Sequence, residues 1–398
     1  MPVSAVAVPD QPLAAARRVS YWSALVVLAM LLTEASLQLA YRLANGDWLA
    51  RRTQPRIYAS DPSRCYGLRP SLAYHHATNE FSVDIFTNAQ GFRTDRARRP
   101  TIVPKPANTT RVLFLGPSFA FGWGVEYEES YAGLAGRALR RSHPAVEIVD
   151  AGVPAQPMAW QLCWLRTAGR ALHPDVIVQT VYILPENVET TCTSSAQCPT
   201  VRDGLLYTTA PDAARRVLAA GKRSALVFYG FYVVQGLRSR PPAPGTGAEL
   251  RDSMLTPASP ALARTADRYE SYRRFVRDAT SDSTDVLFVF VPLSYMVHST
   301  DARRWAHLGV GRVSADAVAR ERARVAALRT VLSDRGIAFV DPTSALVRVA
   351  EHHRAYYWLD VHLTPRGNRA VAEALVPALQ ALLDRRARAA GHAAPARF

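Results

Sequence analysis

The sequence predicts an α/β fold, a parallel sheet covered by helices on both faces, preceded by one N-terminal transmembrane helix. Three observations predict it. Short apolar runs of strand length alternate with helical patterns over most of the chain. One apolar stretch near the N-terminus is long enough to cross a bilayer. Polar residues with chemical function follow several of the strands, at the edge where parallel sheets place their sites.

The N-terminus is predicted to hold a flexible tail, residues 1–18, and then the transmembrane helix, residues 19–43. Arginines flank the apolar stretch on both sides, so the distribution of positive charge does not orient it. The stretch is also too long for a typical signal-peptide core. We therefore expect a single-pass membrane protein.

Two polar residues interrupt this stretch. Glu34 and Gln38 lie one helical turn apart, on the same face of the helix. A carboxyl group in lipid is costly and usually meets a partner, which favours a second transmembrane helix as a partner at this face. A Glu34 that is protonated, or that lies near the membrane interface, explains the pattern equally well.

The rest of the chain divides into a membrane-proximal segment, residues 46–108, and a main domain, residues 109–385. The segment includes a strand-like stretch from Phe81 to Thr87 and is expected to pack against the domain. Residues 192–260 interrupt the domain, and an insertion of this length is typical of a lid, a substrate wall or a docking surface. The tail, residues 386–398, is rich in Arg and Ala and is predicted to be disordered.

The main domain carries the alternation that predicts the sheet. Its predicted strands are 111–115, 146–149, 176–183, 286–291 and 337–340, and its predicted helices are 126–141, 157–172, 315–335 and 365–385. Strands separated by helices favour parallel pairing, because each crossover helix returns the chain to the same end of the sheet.

The net charge of +15 invites a nucleic-acid partner, but the pattern of the charge does not support one. Lys105 and Lys222 are the only lysines, the arginines are dispersed, and no basic run is interleaved with aromatic residues. A basic surface of this kind suits anionic lipid headgroups. We expect a lipid bilayer as a partner and no nucleic acid.

The cysteines indicate the cellular compartment of the globular domain. Cys192 and Cys198 flank a short polar loop, and the sequence favours a local disulfide between them over two unrelated thiols. A disulfide implies an oxidising compartment, which places the globular domain outside the cytoplasm, in the periplasm or an equivalent space. Their spacing does not fit a zinc site, and neither a metal nor a cofactor is expected.

The residues with chemical function are Ser118, Asp360 and His362. Ser118 follows a predicted buried strand and a tight turn, which presents its hydroxyl at the sheet edge. Asp360 and His362 come just before Thr364-Pro365, a helix-start pattern in which Thr caps the helix and Pro occupies its first turn. A serine, an imidazole and a carboxylate are the groups required for nucleophilic catalysis.

Other aromatic residues and histidines allow simpler interpretations. Trp123, in the turn after the serine, either lines a cleft or belongs to the core. The pairs His75-His76 and His352-His353 are interpreted as surface or helix-end residues, because neighbouring rings rarely face one metal.

Four segments together resemble the SGNH/GDSL hydrolases, specifically their membrane-anchored bacterial type. They are Gly116-Pro117-Ser118-Phe119-Ala120-Phe121-Gly122-Trp123-Gly124-Val125, Asp150-Ala151-Gly152-Val153-Pro154, Asp360-Val361-His362-Leu363-Thr364-Pro365 with Gly367, and Thr87-Asn88-Ala89-Gln90-Gly91-Phe92-Arg93. The resemblance covers residues from about 58 to 385. It implies a three-layer α/β/α fold and hydrolysis of esters, commonly O-acetyl or acyl groups on carbohydrates or lipids.

The resemblance also implies roles for individual residues. Ser118 is the expected nucleophile, His362 its base, and Asp360 the carboxylate that orients the imidazole. The backbone N–H groups of Ser118 and Gly152 and the side chain of Asn187 are the expected donors to the oxyanion.

Two departures from the family's pattern leave a second function open. Pro117 stands where the family has Asp, and proline has neither an N–H nor a side-chain acceptor to brace the turn. Glu186 takes the place of the family's oxyanion Asn in the direct alignment, whereas a shift of one residue puts Asn187 there. The sequence thus predicts a membrane-anchored serine esterase. The alternatives are a catalytically degenerate domain that serves as an accessory subunit of a membrane complex, and an acyltransferase that excludes water from the same triad.

Overall fold

The computed structural model of the protein describes residues 11–45, 48–78, 80–182, 188–193, 198–207, 217, 220–238, 260–298, 301, 314–358 and 360–392. Within these residues the chain forms a three-layer α/β/α domain and one long N-terminal helix, which confirms the predicted fold class.

Strands occur at the predicted positions in the main domain, and further strands lie before it and within the insertion. They are β1 (Tyr58–Asp61), β2 (Cys65–Leu68), β3 (Ala73–Ala77), β4 (Ser82–Thr87), β5 (Arg93–Thr94), β6 (Thr110–Leu115), β7 (Val146–Asp150), β8 (Val176–Tyr182), β9 (Thr200–Arg202), β10 (Leu205–Tyr207), β11 (Asp285–Val291) and β12 (Ala338–Val340). The large sheet of the described chain has the order β12-β11-β8-β6-β7-β5-β4-β3. Strands β12, β11, β8, β6 and β7 are parallel, so the predicted parallel sheet is confirmed.

The α-helices of the described chain are α1 (Gln11–Asn45), α2 (Ser118–Phe121), α3 (Tyr131–Ser142), α4 (Met158–Arg166), α5 (Ala225–Arg238), α6 (Pro260–Ala279), α7 (Ala315–Asp334), α8 (Thr343–Ala350) and α9 (Pro365–His392). Helices α4, α6 and α7 cover one face of the sheet, and α3, α8 and α9 cover the other.

Strand β6 shows why this sheet is buried on both sides. Leu113 and Leu115 belong to the core under α4, α6 and α7. Val112 and Phe114 belong to the core under α3, α8 and α9. Because side chains alternate along a strand, a fully apolar run of this length can fill two cores only when helices cover both faces.

The membrane-proximal segment contributes strands to the same sheet. Strands β3, β4 and β5 extend it in antiparallel fashion, and β5 joins it to β7 through the pair Arg93 and Asp150. The segment is therefore held to the domain by main-chain pairing as well as by side-chain packing.

Both predicted tails are partly helical, which corrects the sequence-based expectation. Helix α1 begins at Gln11, inside the predicted tail 1–18, and α9 continues to His392, inside the predicted tail 386–398. Alanine and arginine are good helix formers. Arg386 also pairs with Asp175 at 3.1 Å and with Asp285 at 3.0 Å, which fixes the end of α9 to the sheet.

The predicted disulfide is wrong in its pairing. Cys65 is bonded to Cys198 and Cys163 to Cys192. The first bond ties the insertion to β2, and the second ties α4 to the chain after β8. Folding brings Cα atoms 133 residues apart in the chain to 5.2 Å, a proximity that the short loop between Cys192 and Cys198 does not indicate.

Helix α1 contains the stretch that was predicted to cross a membrane. Among the described residues, Arg17–Leu43 is long and apolar enough to do so by length and composition, and nearly all of it is exposed. Length and composition of this kind also suit a signal sequence.

The polar face of this stretch contacts another part of the same chain. Glu34 accepts hydrogen bonds from Ser224 Oγ at 2.9 Å and from the backbone N–H groups of Ala225 at 2.8 Å and Leu226 at 2.9 Å. Gln38 donates to the carbonyl of Arg223 at 2.9 Å. Within the described residues, this face meets the N-terminus of α5, whose free N–H groups the Glu34 carboxylate caps.

Candidate active site

Ser118 is presented by a tight turn at the carboxyl end of β6. Gly116 has φ +152°, and a Cβ there would lie 2.6 Å from the Cβ of Thr180, so the turn requires glycine. The turn is held by main-chain bonds: the N–H of Val153 donates to the Gly116 carbonyl at 3.0 Å, and that of Phe121 to the Pro117 carbonyl at 3.2 Å. Ser118 then opens α2.

His362 and Asp360 lie on the loop between α8 and α9. The loop is closed by the pairing of Tyr356 with Leu363. At its end, Thr364 Oγ1 accepts the N–H of Gly367 at 3.2 Å, and Pro365 is the first residue of α9. The predicted helix start is confirmed.

The structure brings the three predicted side chains into one hydrogen-bonded chain. His362 Nε2 lies 2.6 Å from Ser118 Oγ. His362 Nδ1 is hydrogen-bonded to Asp360 Oδ1. A carboxylate only accepts, so Nδ1 carries the proton and Nε2 is left to accept from the serine hydroxyl.

The environment of Asp360 favours its ionised form. Burial alone would raise the pKa of this carboxyl, but the nearby His362 charge and hydrogen bonds outweigh burial, and the pKa lies below its usual range. The donors are the His362 ring, the His362 backbone N–H at 3.0 Å and the Trp123 indole at 3.3 Å. A charged carboxylate at this point stabilises a protonated imidazole.

Of the expected oxyanion donors, only Ser118 has its N–H available in the described structure. Ser118 is the first residue of α2, so its N–H has no acceptor within the helix. Gly152 corrects the prediction, because it donates to Asp150 Oδ1 at 3.0 Å. Asp150 is buried and needs a donor; burial raises the pKa of its carboxyl to about 8 despite that bond and the nearby Arg93 charge. Asn187, with the alternative Glu186, lies outside the described residues.

Trp123 lines the site. Its ring centroid lies 5.9 Å from that of His362 and 5.1 Å from that of His76, and its indole binds Asp360. His76 is buried against it rather than at the surface, which corrects the sequence-based interpretation. Its side chain is enclosed because β3 turns it inward, towards Trp123 and Phe81.

Glu80 is a site residue that sequence reasoning missed. Its carboxylate accepts the backbone N–H of Asp360 at 2.5 Å and also that of Trp358. Glu80 lies 280 residues before Asp360, and no local pattern connects the two. The membrane-proximal segment thereby holds the loop that carries His362.

Two cavities lie beside the site, and Ala155 lines both. The smaller has a volume of about 470 Å³ and the larger about 1000 Å³. Residues of the smaller cavity include Pro117, Met158, Thr180, Val181 and Val188. The larger includes Trp123 and Asp360.

No protein-family model matches the chain, and no curated protein matches it in sequence. Solved structures are similar to it at low identity. LAE5, an alpha/beta hydrolase from the metagenome of Lake Arreo, is 12% identical, with a TM-score of 0.37, over 68% of this chain and 94% of that one. A variant of Axe2, an acetyl xylan esterase from Geobacillus stearothermophilus, is 12% identical, with a TM-score of 0.36, over 68% and 94%. A member of the lipolytic G-D-S-L family from Veillonella parvula is 11% identical, with a TM-score of 0.33, over 68% and 97%.

Proposed function

We propose that this protein is a membrane-anchored serine esterase that hydrolyses an acyl ester outside the cytoplasm. The observation that carries the proposal is the hydrogen-bonded chain from Ser118 through His362 to Asp360, with 2.6 Å between the serine oxygen and the imidazole. This is the distance at which a base removes a hydroxyl proton. The residues come from opposite ends of the main domain, and their convergence supports a working triad.

The chemistry follows from the protonation states. His362 Nε2 takes the Ser118 proton as the serine oxygen bonds to the acyl carbon, and Asp360 balances the imidazolium charge. The same proton then passes to the leaving alcohol as the ester C–O bond breaks. In the second half, His362 takes a proton from water as the water oxygen bonds to the acyl carbon. The bond between that carbon and Ser118 Oγ then breaks, His362 returns the proton to Ser118 Oγ, and the acid is released. The N–H of Ser118 supports the oxyanion in both halves.

The smaller cavity suits the acyl part of the ester. It begins at Pro117, directly beside the nucleophile, and its walls include the apolar side chains of Met158, Val181 and Val188. The same wall also includes polar side chains, among them Gln161, Glu189 and Arg268, so the recess beside the serine offers both apolar and polar contacts to an acyl group.

Two features support an extracytoplasmic, membrane-anchored location. The disulfides Cys65–Cys198 and Cys163–Cys192 favour an oxidising compartment. The span Arg17–Leu43 is exposed, and its residue Glu34 is bound by α5, so the domain and the anchor are joined by contacts as well as by the chain.

One observation favours the second candidate, a catalytically degenerate domain that acts as an accessory subunit. Gly152 donates its N–H to Asp150, so of the expected oxyanion donors within the described residues only the N–H of Ser118 remains available. Loss of one such donor typically slows catalysis by about 10²–10³.

Labelling by a fluorophosphonate probe separates the two candidates. The full-length protein in neutral detergent is compared with Ser118→Ala and with Ser142→Ala, an exposed serine at the end of α3. We expect labelling of the wild type and of Ser142→Ala, and none of Ser118→Ala. A well-folded wild type that takes up no probe would overturn the esterase and favour the accessory subunit.

A further inference from the structure

The larger cavity extends from the candidate active site to the base of the membrane span. One part of its wall is formed by Trp123 and Asp360. Another part is formed by Ala220, Lys222 and Arg223, directly before α5. The cavity therefore connects the reacting groups with the region where α5 meets α1.

Four cations line this cavity: Arg52, Arg56, Lys222 and Arg223. None of the four has an acidic partner within the part of the chain that the structure describes. Asp360, the carboxylate in the wall, is already bound to His362. Burial, followed by the charge of Arg52, lowers the pKa of Lys222, as expected for like charges without a counter-anion.

Two atoms in the wall also lack partners. Arg52 Nη1 and His76 Nε2 are buried, and neither has a hydrogen-bond partner among the described residues. His76 itself is only 2% exposed, and its other ring nitrogen is 3.0 Å from Thr53 Oγ1. Buried polar atoms are normally paired, so these two indicate a polar ligand in the cavity.

The contacts of α1 place these cations at the depth of lipid headgroups. The 27 residues of Arg17–Leu43 span about 40 Å as a helix, which matches a bilayer including both headgroup layers. Gln38, which binds the Arg223 carbonyl, lies about 8 Å before the end of this stretch. That distance corresponds to the headgroup layer on the side of the domain.

Helix α5 adds apolar surface at the same level. Val227, Val233 and Val234 are exposed, the most exposed being Val233 at 61%. On its other side, Phe228 is buried against α1 and its ring lies 5.5 Å below the Arg52 guanidinium. An exposed apolar helix beside unpaired cations is the arrangement of a protein surface that rests on an anionic membrane.

We propose that this cavity binds the phosphate headgroup of a lipid taken from the adjacent leaflet. Arginines suit this ligand because a guanidinium can bind two phosphate oxygens at once, and the desolvated site strengthens each charge-assisted bond. Resting on the proposed function, the same placement brings an ester of that lipid towards Ser118, with the smaller cavity available for the acyl chain.

The test uses full-length protein with Ser118→Ala, in neutral detergent, so that binding is measured without turnover. The probes are dihexanoyl phosphatidic acid, dihexanoylglycerol as the same lipid without phosphate, and inorganic phosphate. Calorimetric titration is expected to give saturable binding of phosphatidic acid, at least about tenfold tighter than inorganic phosphate, and no binding of dihexanoylglycerol.

Variants locate the site. Arg52→Gln and Lys222→Gln are expected to weaken phosphatidic acid binding about tenfold or more, because each removes a charged hydrogen-bond donor. Lys222→Arg keeps the charge and is expected to keep the binding. Arg99→Gln, an exposed arginine outside the cavity, is the matched control and is expected to bind as the parent does.

Each contrary outcome has a definite meaning. Equal binding by Arg52→Gln, Lys222→Gln and the parent would overturn the site. Binding of dihexanoylglycerol as tight as that of phosphatidic acid would overturn recognition of phosphate. If inorganic phosphate bound as tightly as phosphatidic acid, the proposal that the bound phosphate belongs to a lipid would be overturned. Probe labelling of Ser118 is independent of all three, so failure of the lipid site and failure of the esterase are distinguishable.

Discussion

The carboxylate of Glu80 accepts the backbone N–H of Asp360 at 2.5 Å. Glu80 precedes β4 in the membrane-proximal segment, whereas Asp360 lies on the loop before α9. The same carboxylate accepts the backbone N–H of Trp358, so it holds the loop by two hydrogen bonds. The orientation of His362 towards Ser118 therefore depends on a segment that belongs to the far edge of the sheet.

Replacing Glu80 by Ala is expected to lower kcat about 10- to 100-fold while KM changes little. The loop loses two of its anchors, and displacement of a catalytic group by about 1 Å has an effect of this size. Steady-state kinetics on a short-chain ester measure it. Glu80→Gln keeps an acceptor and should recover part of the rate, and Glu129→Ala, an exposed glutamate, should match the wild type. Wild-type kcat in Glu80→Ala would contradict a positioning role.

The burial of His76 predicts a pH dependence of stability. Burial lowers the pKa of His76 to about 4, whereas the unfolded chain has an ordinary value of about 6.5. Between these values the unfolded chain binds a proton that the folded chain does not. The contribution of buried, neutral His76 to the free energy of unfolding is therefore fully present above pH 6.5 and is lost as the pH falls through 4. The loss amounts to up to about 3 kcal/mol.

Thermal unfolding in neutral detergent, at intervals from pH 7 to pH 4, measures this effect. The loss of stability on acidification should be smaller in His76→Gln than in the wild type. His352→Gln changes an exposed histidine and should keep the wild-type slope. The same slope in all three proteins would show that His76 does not titrate differently in the folded and unfolded states.

The disulfide pairing can be read directly. Proteolysis without reduction, followed by mass spectrometry, should yield one linked pair of peptides containing Cys65 and Cys198 and another containing Cys163 and Cys192. Replacing both Cys65 and Cys198 by Ser should cost about 3–5 kcal/mol, because the bond closes a long loop in the unfolded chain. A peptide pair linking Cys192 to Cys198 would contradict the structure.

Glu34→Ala should loosen α5 from α1. The variant loses an acceptor for Ser224 Oγ and for the N–H groups of Ala225 and Leu226, and a helix cap contributes about 1–2 kcal/mol. Hydrogen exchange should therefore rise about tenfold over the first turns of α5. Thr33→Ala, whose hydroxyl donates to the carbonyl of Ala29 in its own helix, is the control. Unchanged hydrogen exchange in Glu34→Ala would contradict the capping of α5 by the Glu34 carboxylate.

The sequence by itself determined the features that depend on neighbouring residues. The apolar runs placed β6, β7, β8, β11 and β12, because a buried strand requires a local run of apolar side chains. The Thr364-Pro365 pattern placed the start of α9, because capping involves residues within one turn. The position of Ser118 after a predicted buried strand indicated the edge of the sheet at which the structure places it.

Only the tertiary structure decided the contacts between distant parts of the chain. Glu80 binds Asp360 across 280 residues, Cys198 pairs with Cys65 rather than Cys192, and Glu34 caps a helix that begins almost two hundred residues later. The periodicity of apolar residues indicates which face of a helix or strand is buried, but it does not indicate what packs against that face. That choice follows from how the whole chain fills its cores and satisfies its buried polar groups.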